Sequence, residues 1–268
     1  MLSPCSPVFA RPRPPTRLRR RSCPSPRSPR RSRFVVRRRR SVPWCRKPHL
    51  AEPETRDPKW EARSLASTAK ASTQAARIDL VFDGDSITDF WQRTGRAVWA
   101  TAFAKYHPFD FGISGDTTQN LLWRLAHGQA QGLHPKVIML MIGTNDMKFT
   151  STPQEIADGV KEILQQYRKL CPEAVIVLQA IFPRAASPND PYRLKVNATN
   201  PLLAKLADGS KIIYLDFGAK FLATDGTLGA DIMPDFLHPS AKGYQIWADA
   251  ITPVLEKYLS EKPTPSVQ

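Results

Sequence analysis

The sequence predicts a three-layer α/β/α domain around a five-stranded parallel sheet, and three observations carry that expectation. Short apolar runs alternate with helix-patterned segments from residue 78 to residue 258. No β-hairpin signal interrupts that alternation in the main sheet, so neighbouring strands must be joined by helical crossovers and run parallel. Val137-Ile-Met-Leu-Met-Ile142 is apolar at every position, as a strand covered on both faces should be.

Residues 51–76 are polar and Ala-rich and read as a linker or docking segment, with a short helix from Pro58 to Leu65. Residues 78–83 form the first strand. A helix near 97–106 follows, with Trp99, Phe103 and Tyr106 on one face. Phe109-Asp-Phe111 is a short second strand, and Thr117 or Thr118 caps a helix to about Ala126 with Leu121, Leu122 and Leu125 inward. After the third strand, Pro153 opens a helix whose Ile156, Val160, Ile163, Tyr167 and Leu170 trace one stripe. Ala174–Leu178 is the fourth strand. A helix over 192–207 contains Pro201, which should kink or break it. Lys211–Leu215 is the fifth strand. The last helix, 240–258, turns Tyr244, Trp247, Ile251, Val254 and Tyr258 inward. Topology rules favour a flavodoxin-like strand order, 2-1-3-4-5.

Charge is concentrated at one end. Residues 1–50 hold fifteen Arg and Lys47 against no acid, which is +16 of a chain total of +15 and leaves residues 51–268 at −1. The basic pI therefore describes the tail, and a nucleic-acid role for the folded domain loses its main support. With 10 of the 25 prolines and arginines interleaved with serines, residues 1–50 have little to bury and are expected to be disordered, as are residues 261–268. The tail is transit-like in composition or reflects a start assigned too far upstream. It contains no apolar core for a secretory signal, and no stretch of the chain approaches membrane-spanning length. The compartment therefore stays open for a chain expected to be soluble. Cys5, Cys23 and Cys45 lie in the tail, so the domain's one cysteine, Cys171, has no internal partner and reads as a half-buried structural thiol. A hydrolase domain is expected over 77–260.

Three successive strands end in small polar turns, at 84–86, 112–116 and 143–146. In a parallel sheet these share one edge, where open α/β sheets collect ligands. Ser86 is a weak nucleophile without a base. Of the five histidines, His107, His127 and His134 lie in loop-like sequence and read as surface residues, while His49 is in the tail. His238 alone follows a carboxylate at helpful spacing. In a turn, Asp235 can reach its Nδ1 and leave Nε2 facing a serine. The Ser86 N–H at a helix start, the Gly115 N–H and the Asn145 side-chain amide are candidate donors for a negative oxygen. Singly, each has an ordinary reading as turn chemistry.

Together, Gly84-Asp-Ser86, Gly115, Gly143-Thr-Asn145 and Asp235-Phe-Leu-His238 occur in the order of the four blocks of the SGNH, or GDSL, hydrolase family. The resemblance spans about 78–258. Phe111-Gly-Ile-Ser-Gly-Asp-Thr-Thr-Gln119 and Leu122-Trp-Arg-Leu125 look most like the branch of platelet-activating-factor acetylhydrolase catalytic subunits and related bacterial esterases. The resemblance implies Ser86 as nucleophile, His238 as base and then acid, Asp235 as its orienter, and Ser86, Gly115 and Asn145 as an oxyanion hole. It implies no metal and no organic cofactor. Ile87, Thr144 and Leu237 stand where that branch walls a small acyl pocket, so a short acyl group, acetyl first, is expected from a small-molecule, carbohydrate or lipid-like ester. Relatives in the branch often form homodimers, though no residue here demands pairing. Asp110 stands where Asn is common. Asp146 and Pro239 also occur in the thioesterase and lysophospholipase-like branch, which is the alternative within the family.

Two readings of other classes remain at this point. Val81-Phe-Asp-Gly-Asp-Ser-Ile-Thr88 also fits the opening of haloacid-dehalogenase-type phosphatases, with Asp83 attacking phosphate and Mg²⁺ bound. A flavodoxin-like module could instead use the same edge to bind a ligand without catalysis.

Overall fold

The structure, a computed structural model, describes residues 57–148 and 151–260. The expected tails, 1–50 and 261–268, lie outside the described residues. Five parallel strands, β1 (Leu80–Gly84), β2 (Pro108–Asp110), β3 (Val137–Met141), β4 (Val175–Gln179) and β5 (Ile212–Leu215), pair in the order β2-β1-β3-β4-β5. Strand β1 thus lies between β2 and β3, with Leu80 opposite both Pro108 and Val137. The three polar turns after β1, β2 and β3 leave the same edge of adjacent strands.

Side-chain alternation divides the core into two layers. Val81, Ile138, Leu140, Ile176 and Leu178 face helices α4 (Thr118–Ala126), α5 (Pro153–Leu170) and α6 (Pro191–Ala204). Leu80, Phe82, Met139, Met141 and Val177 face α7 (Ala241–Leu259), with Phe103 after α3 (Arg96–Ala102) on the same side. The end signals are local. Thr117 and Thr152 form capping boxes with Asn120 and Glu155, Pro153 opens α5, and Ser240 caps α7 through the Gly243 N–H.

Several expectations need correction. The first helix, α1, runs from Pro58 to Ser72 instead of stopping at Leu65. Its Ala-rich second half favours helix, and Ala71 is buried against the α4–α5 side of the core. The helix expected near 97–106 ends at Ala102 and continues as a 3₁₀ turn, Ala104–Tyr106. In α7 the deepest stripe passes through Leu255 and Leu259, and Val254 and Tyr258 are only partly buried. The step from Ile251 is four residues, not three, as a 3.6-residue period allows. Pro201 neither ends nor interrupts α6, which runs on to Ala204. Cys171, at the end of α5, is fully buried, with its Sγ near the Leu133 carbonyl at 3.6 Å. No helix among the described residues is long and apolar enough to cross a membrane.

Candidate active site

All five residues of β1 are buried, and the chain must then turn sharply between β3 and its own helix. Gly84 makes that possible: a Cβ there would lie 2.2 Å from the Met141 carbonyl oxygen, a separation no side chain tolerates. Asp85 caps the four-residue helix α2 (Ser86–Asp89), its Oδ1 accepting the Ile87 N–H at 2.9 Å. Ser86 is therefore the first residue of a helix. Its N–H is among the donors a helix start leaves without an intrahelical acceptor.

The partner comes from the far end of the chain. His238 Nε2 is 2.8 Å from Ser86 Oγ, and its Nδ1 is 2.6 Å from Asp235 Oδ2. The other oxygen of Asp235 accepts the backbone N–H groups of Leu237 and His238, at 3.1 and 2.8 Å. That turn brings the carboxylate against the imidazole and puts Phe236 in the left-handed region, at φ +56°. Burial would raise the Asp235 carboxyl, but hydrogen bonds from the His238 ring and backbone hold it below the ordinary carboxylate value. Phe90 stacks on the His238 ring, centroids 4.9 Å apart, and Tyr244 Oη donates to the Ile87 carbonyl at 2.6 Å. Helix α7 is thus tied to the serine turn.

The two other turns leave the same sheet edge, from the strands on either side of β1. Gly115 has φ +89° and nothing within 4 Å of where a Cβ would sit, so its backbone conformation, not crowding, calls for glycine. Asn145 is 4% exposed and donates one amide hydrogen to the Asp116 carbonyl at 2.9 Å. That bond fixes the amide and leaves its second hydrogen available. Asp146 accepts from the Thr118 N–H and hydroxyl, which ties the turn after β3 to the start of α4. Of the three residues expected around an acyl group, Ile87 and Thr144 are nearly inaccessible and Leu237 is partly buried. Arg184 pins Thr144, donating to its carbonyl at 2.9 Å.

His107, His127 and His134 are exposed, as expected of surface residues. His107 lies 3.1 Å from Asp79, and His127 stacks on Trp123. The phosphatase reading fails on geometry. The Asp83 carboxyl is inaccessible and faces away from solvent into a buried network: Gly84 N–H, Arg124, Gln129 and Tyr167 all donate to it. Arg124 also reaches Asp116 at 2.8 Å and the Gly84 and Phe111 carbonyls. Burial pushes Asp83 above the ordinary carboxylate value against the pull of Arg124. Burial likewise moves Asp85 to about 7 and Asp116 to about 6. Sequence reasoning missed the roles of Arg124, Gln129 and Tyr167. The available signal was a charge amid the apolar run Leu121-Leu-Trp-Arg-Leu125.

Asp110 lacks the direct ion pair that Asp83 and Asp116 make with Arg124. The residue is only half-buried; its Oδ1 accepts the Gly112 N–H and Gln92 favours the charged form, but Oδ2 is sealed from solvent without a well-formed hydrogen bond. Burial holds its carboxyl well above the ordinary value. A raised folded-state value makes the group neutral in its effect at low pH. It becomes destabilising as pH rises above the unfolded value near ~4 and approaches the folded value. Asp110→Asn removes that term. It should raise Tm by about 2–4 °C at pH 8, the effect of roughly 1 kcal/mol in a domain of this size, with the gain shrinking toward pH 4. Thermal melts of both proteins across that range check it, and a gain independent of pH would show the carboxyl is not responsible.

The sequence pattern of the GDSL-like lipase/acylhydrolase family matches residues 82–246. Platelet-activating factor acetylhydrolase IB subunit alpha1 from Rattus norvegicus is 33% identical over 206 residues, covering 76% of this chain and 86% of the relative. The alpha2 subunit from Homo sapiens is 32% identical over 217 residues, covering 81% and 92%. Among solved structures, a GDSL-like lipase from Bacteroides thetaiotaomicron aligns with a TM-score of 0.58 at 22% identity, covering 72% of this chain and 98% of that one. A catalytic mutant of an acetylxylan esterase from Geobacillus stearothermophilus aligns with a TM-score of 0.53 at 21% identity, covering 70% and 96%. At these identities the two structures speak to the fold.

Proposed function

The chain belongs to the GDSL-like lipase/acylhydrolase family and is a carboxylic ester hydrolase, and from that premise we propose that it removes short, acetyl-type acyl groups through an acyl-enzyme on Ser86. The observation that carries the proposal is the continuous line from Asp235 through His238 to Ser86, at 2.6 and 2.8 Å.

In this mechanism His238 Nε2 takes the proton from Ser86 Oγ as the oxygen attacks the ester carbonyl, and Asp235 stabilises the imidazolium through Nδ1. The carbonyl oxygen becomes negative and is met by the Ser86 and Gly115 N–H groups and the free hydrogen of the Asn145 amide. As the tetrahedral centre collapses, the C–O bond to the alcohol breaks and His238 returns the proton to the departing oxygen. Water then enters and attacks the acyl carbon as His238 takes its proton; collapse of that second tetrahedral centre breaks the bond to Ser86 Oγ, His238 returns the proton to Oγ, and the carboxylic acid leaves.

The acyl preference rests on the wall residues. Ile87 and Thr144 have almost no accessible surface, and Tyr244 and Arg184 hold their backbones, so these positions are packed and rigid, which supports a reading in which little room is left for a long acyl chain. The similar mammalian proteins are named acetylhydrolases, which points the same way. A fluorophosphonate should label Ser86 stoichiometrically. Across p-nitrophenyl esters from acetyl to octanoyl, kcat/KM should fall by about 100-fold, since overfilling a packed wall costs about 1–3 kcal/mol. Labelling elsewhere would sink the serine assignment, and a maximum at octanoyl would sink the acyl assignment.

A further inference from the structure

Helix α1 precedes the first strand and lies wholly outside residues 82–246, the span matched by the family pattern. It nevertheless touches the site's loops at two places. The Trp60 indole N–H donates to Asp116 Oδ1 at 2.6 Å, and the Trp60 ring packs on Trp123 of α4, centroids 5.1 Å apart. One turn later, the Arg63 guanidinium grips Asp89 with two hydrogen bonds, at 3.1 and 2.5 Å. Its Nη2 also reaches the Gly112 carbonyl at 3.4 Å. Asp89 closes helix α2, which Ser86 opens, and accepts the Ser114 hydroxyl at 2.5 Å. Asp89 therefore ties the nucleophile's helix to the loop that carries Gly115.

Asp116 is where these lines meet. It follows Gly115 directly, and its carbonyl holds the Asn145 amide. Its two carboxyl oxygens are fixed from opposite sides, Oδ2 by Arg124 and Oδ1 by Trp60. Releasing one side frees Asp116 to shift, which carries with it the carbonyl that holds the Asn145 amide and disturbs the adjoining residue, Gly115. Resting on the reading of Gly115 and Asn145 as oxyanion donors, we propose that α1 is a positioning strap for the oxyanion hole, with Trp60 and Arg63 as positioning residues that act through Asp116 and Asp89. Neither touches the reacting atoms. Arg63 is nearly half exposed, and an exposed ion pair of this kind contributes little stability by itself, so its geometry is better explained by what it holds.

The test uses the full chain with Trp60→Phe, which keeps a ring on Trp123 and removes only the N–H donor, and with Arg63→Met and Arg63→Lys. Active sites are counted by fluorophosphonate titration, so misfolded protein does not enter kcat. Trp60→Phe and Arg63→Met should each lower kcat for p-nitrophenyl acetate about 10- to 100-fold, as displacement of catalytic groups by about an ångström does, with KM within about twofold. Affinity for a trifluoromethyl ketone, which forms an oxyanion on the serine, should fall by the same factor, and Arg63→Lys should recover part of both losses. Combining Trp60→Phe with Asn145→Ala should cost less than the product of the single losses, because both act on one group. Unchanged kcat per titrated site, or strictly multiplicative losses, would overturn the strap. If Asn145→Ala alone leaves kcat unchanged, the oxyanion reading itself fails, which separates the two failures.

Discussion

Ser86→Ala lowers kcat/KM for p-nitrophenyl acetate by about 10⁴-fold or more, the scale on which serine hydrolases lose rate when the nucleophile is removed. The loss should fall on kcat, since the hydroxyl forms its bond only as the reaction proceeds and the walls around the acyl group are untouched. Tm should stay within about 1 °C. The side chain is small, and Gly84, Asp85 and Tyr244 hold the turn through groups other than the hydroxyl. The variant should also fail to take up a fluorophosphonate. A residual rate within tenfold of the parent would mean that the nucleophile is another group, and Ser86 would then be only the first residue of a helix.

The second large effect concerns stability. Arg124 is completely buried, and Asp83 and Asp116 lie 3.0 and 2.8 Å from its nitrogens. Burial alone would lower the guanidinium's proton affinity, but the two carboxylates more than reverse that and keep it charged. Arg124→Met keeps most of the side-chain volume and strands both acids. Breaking a buried pair in this way costs about 3–5 kcal/mol, which in a domain of this size is about 10 °C or more in Tm. The sign of the pH dependence follows from the same groups. Without Arg124, Asp83 and Asp116 gain folded-state values still further above their unfolded ones. The deficit therefore grows as pH rises above about 4 and is smallest in acid, where both are protonated in either state. Urea unfolding from pH 5 to pH 9 reads this directly, and a deficit that widened toward acid would contradict it.

The sequence reveals the sheet and the chemical groups at its edge because both are written locally. An all-apolar β3, helix stripes three and four residues apart, and Gly or Asn in each turn are visible without knowing what they pack on. The same holds for Asp235 and His238, whose spacing fits one turn. What escapes is everything decided across the fold. Arg124 meets Asp83 across 41 residues and Tyr167 meets Asp83 across 84, and nothing near Asp83 announces either partner. In α7 the inward stripe drifts by one residue toward Leu259 because the sheet, not the local period, chooses which of two adjacent rows to bury. Helix α1 escapes for a related reason. Polar, Ala-rich sequence looks like linker until Trp60 and Arg63 find their acids 56 and 26 residues away.

The bond between His238 and Ser86 spans 152 residues, a longer closure than any strand pairing in the sheet. Strands β1 and β3 pair from Leu80 to Val137, across a segment that itself holds β2 and α4, a closure less than half as long. The histidine reaches the serine only when α7 docks, with Trp247 against Phe82 and Tyr244 on the Ile87 carbonyl. On the reading of His238 as the base, a chain in which α7 is not docked should therefore show no esterase activity, because Ser86 then has no partner for its proton.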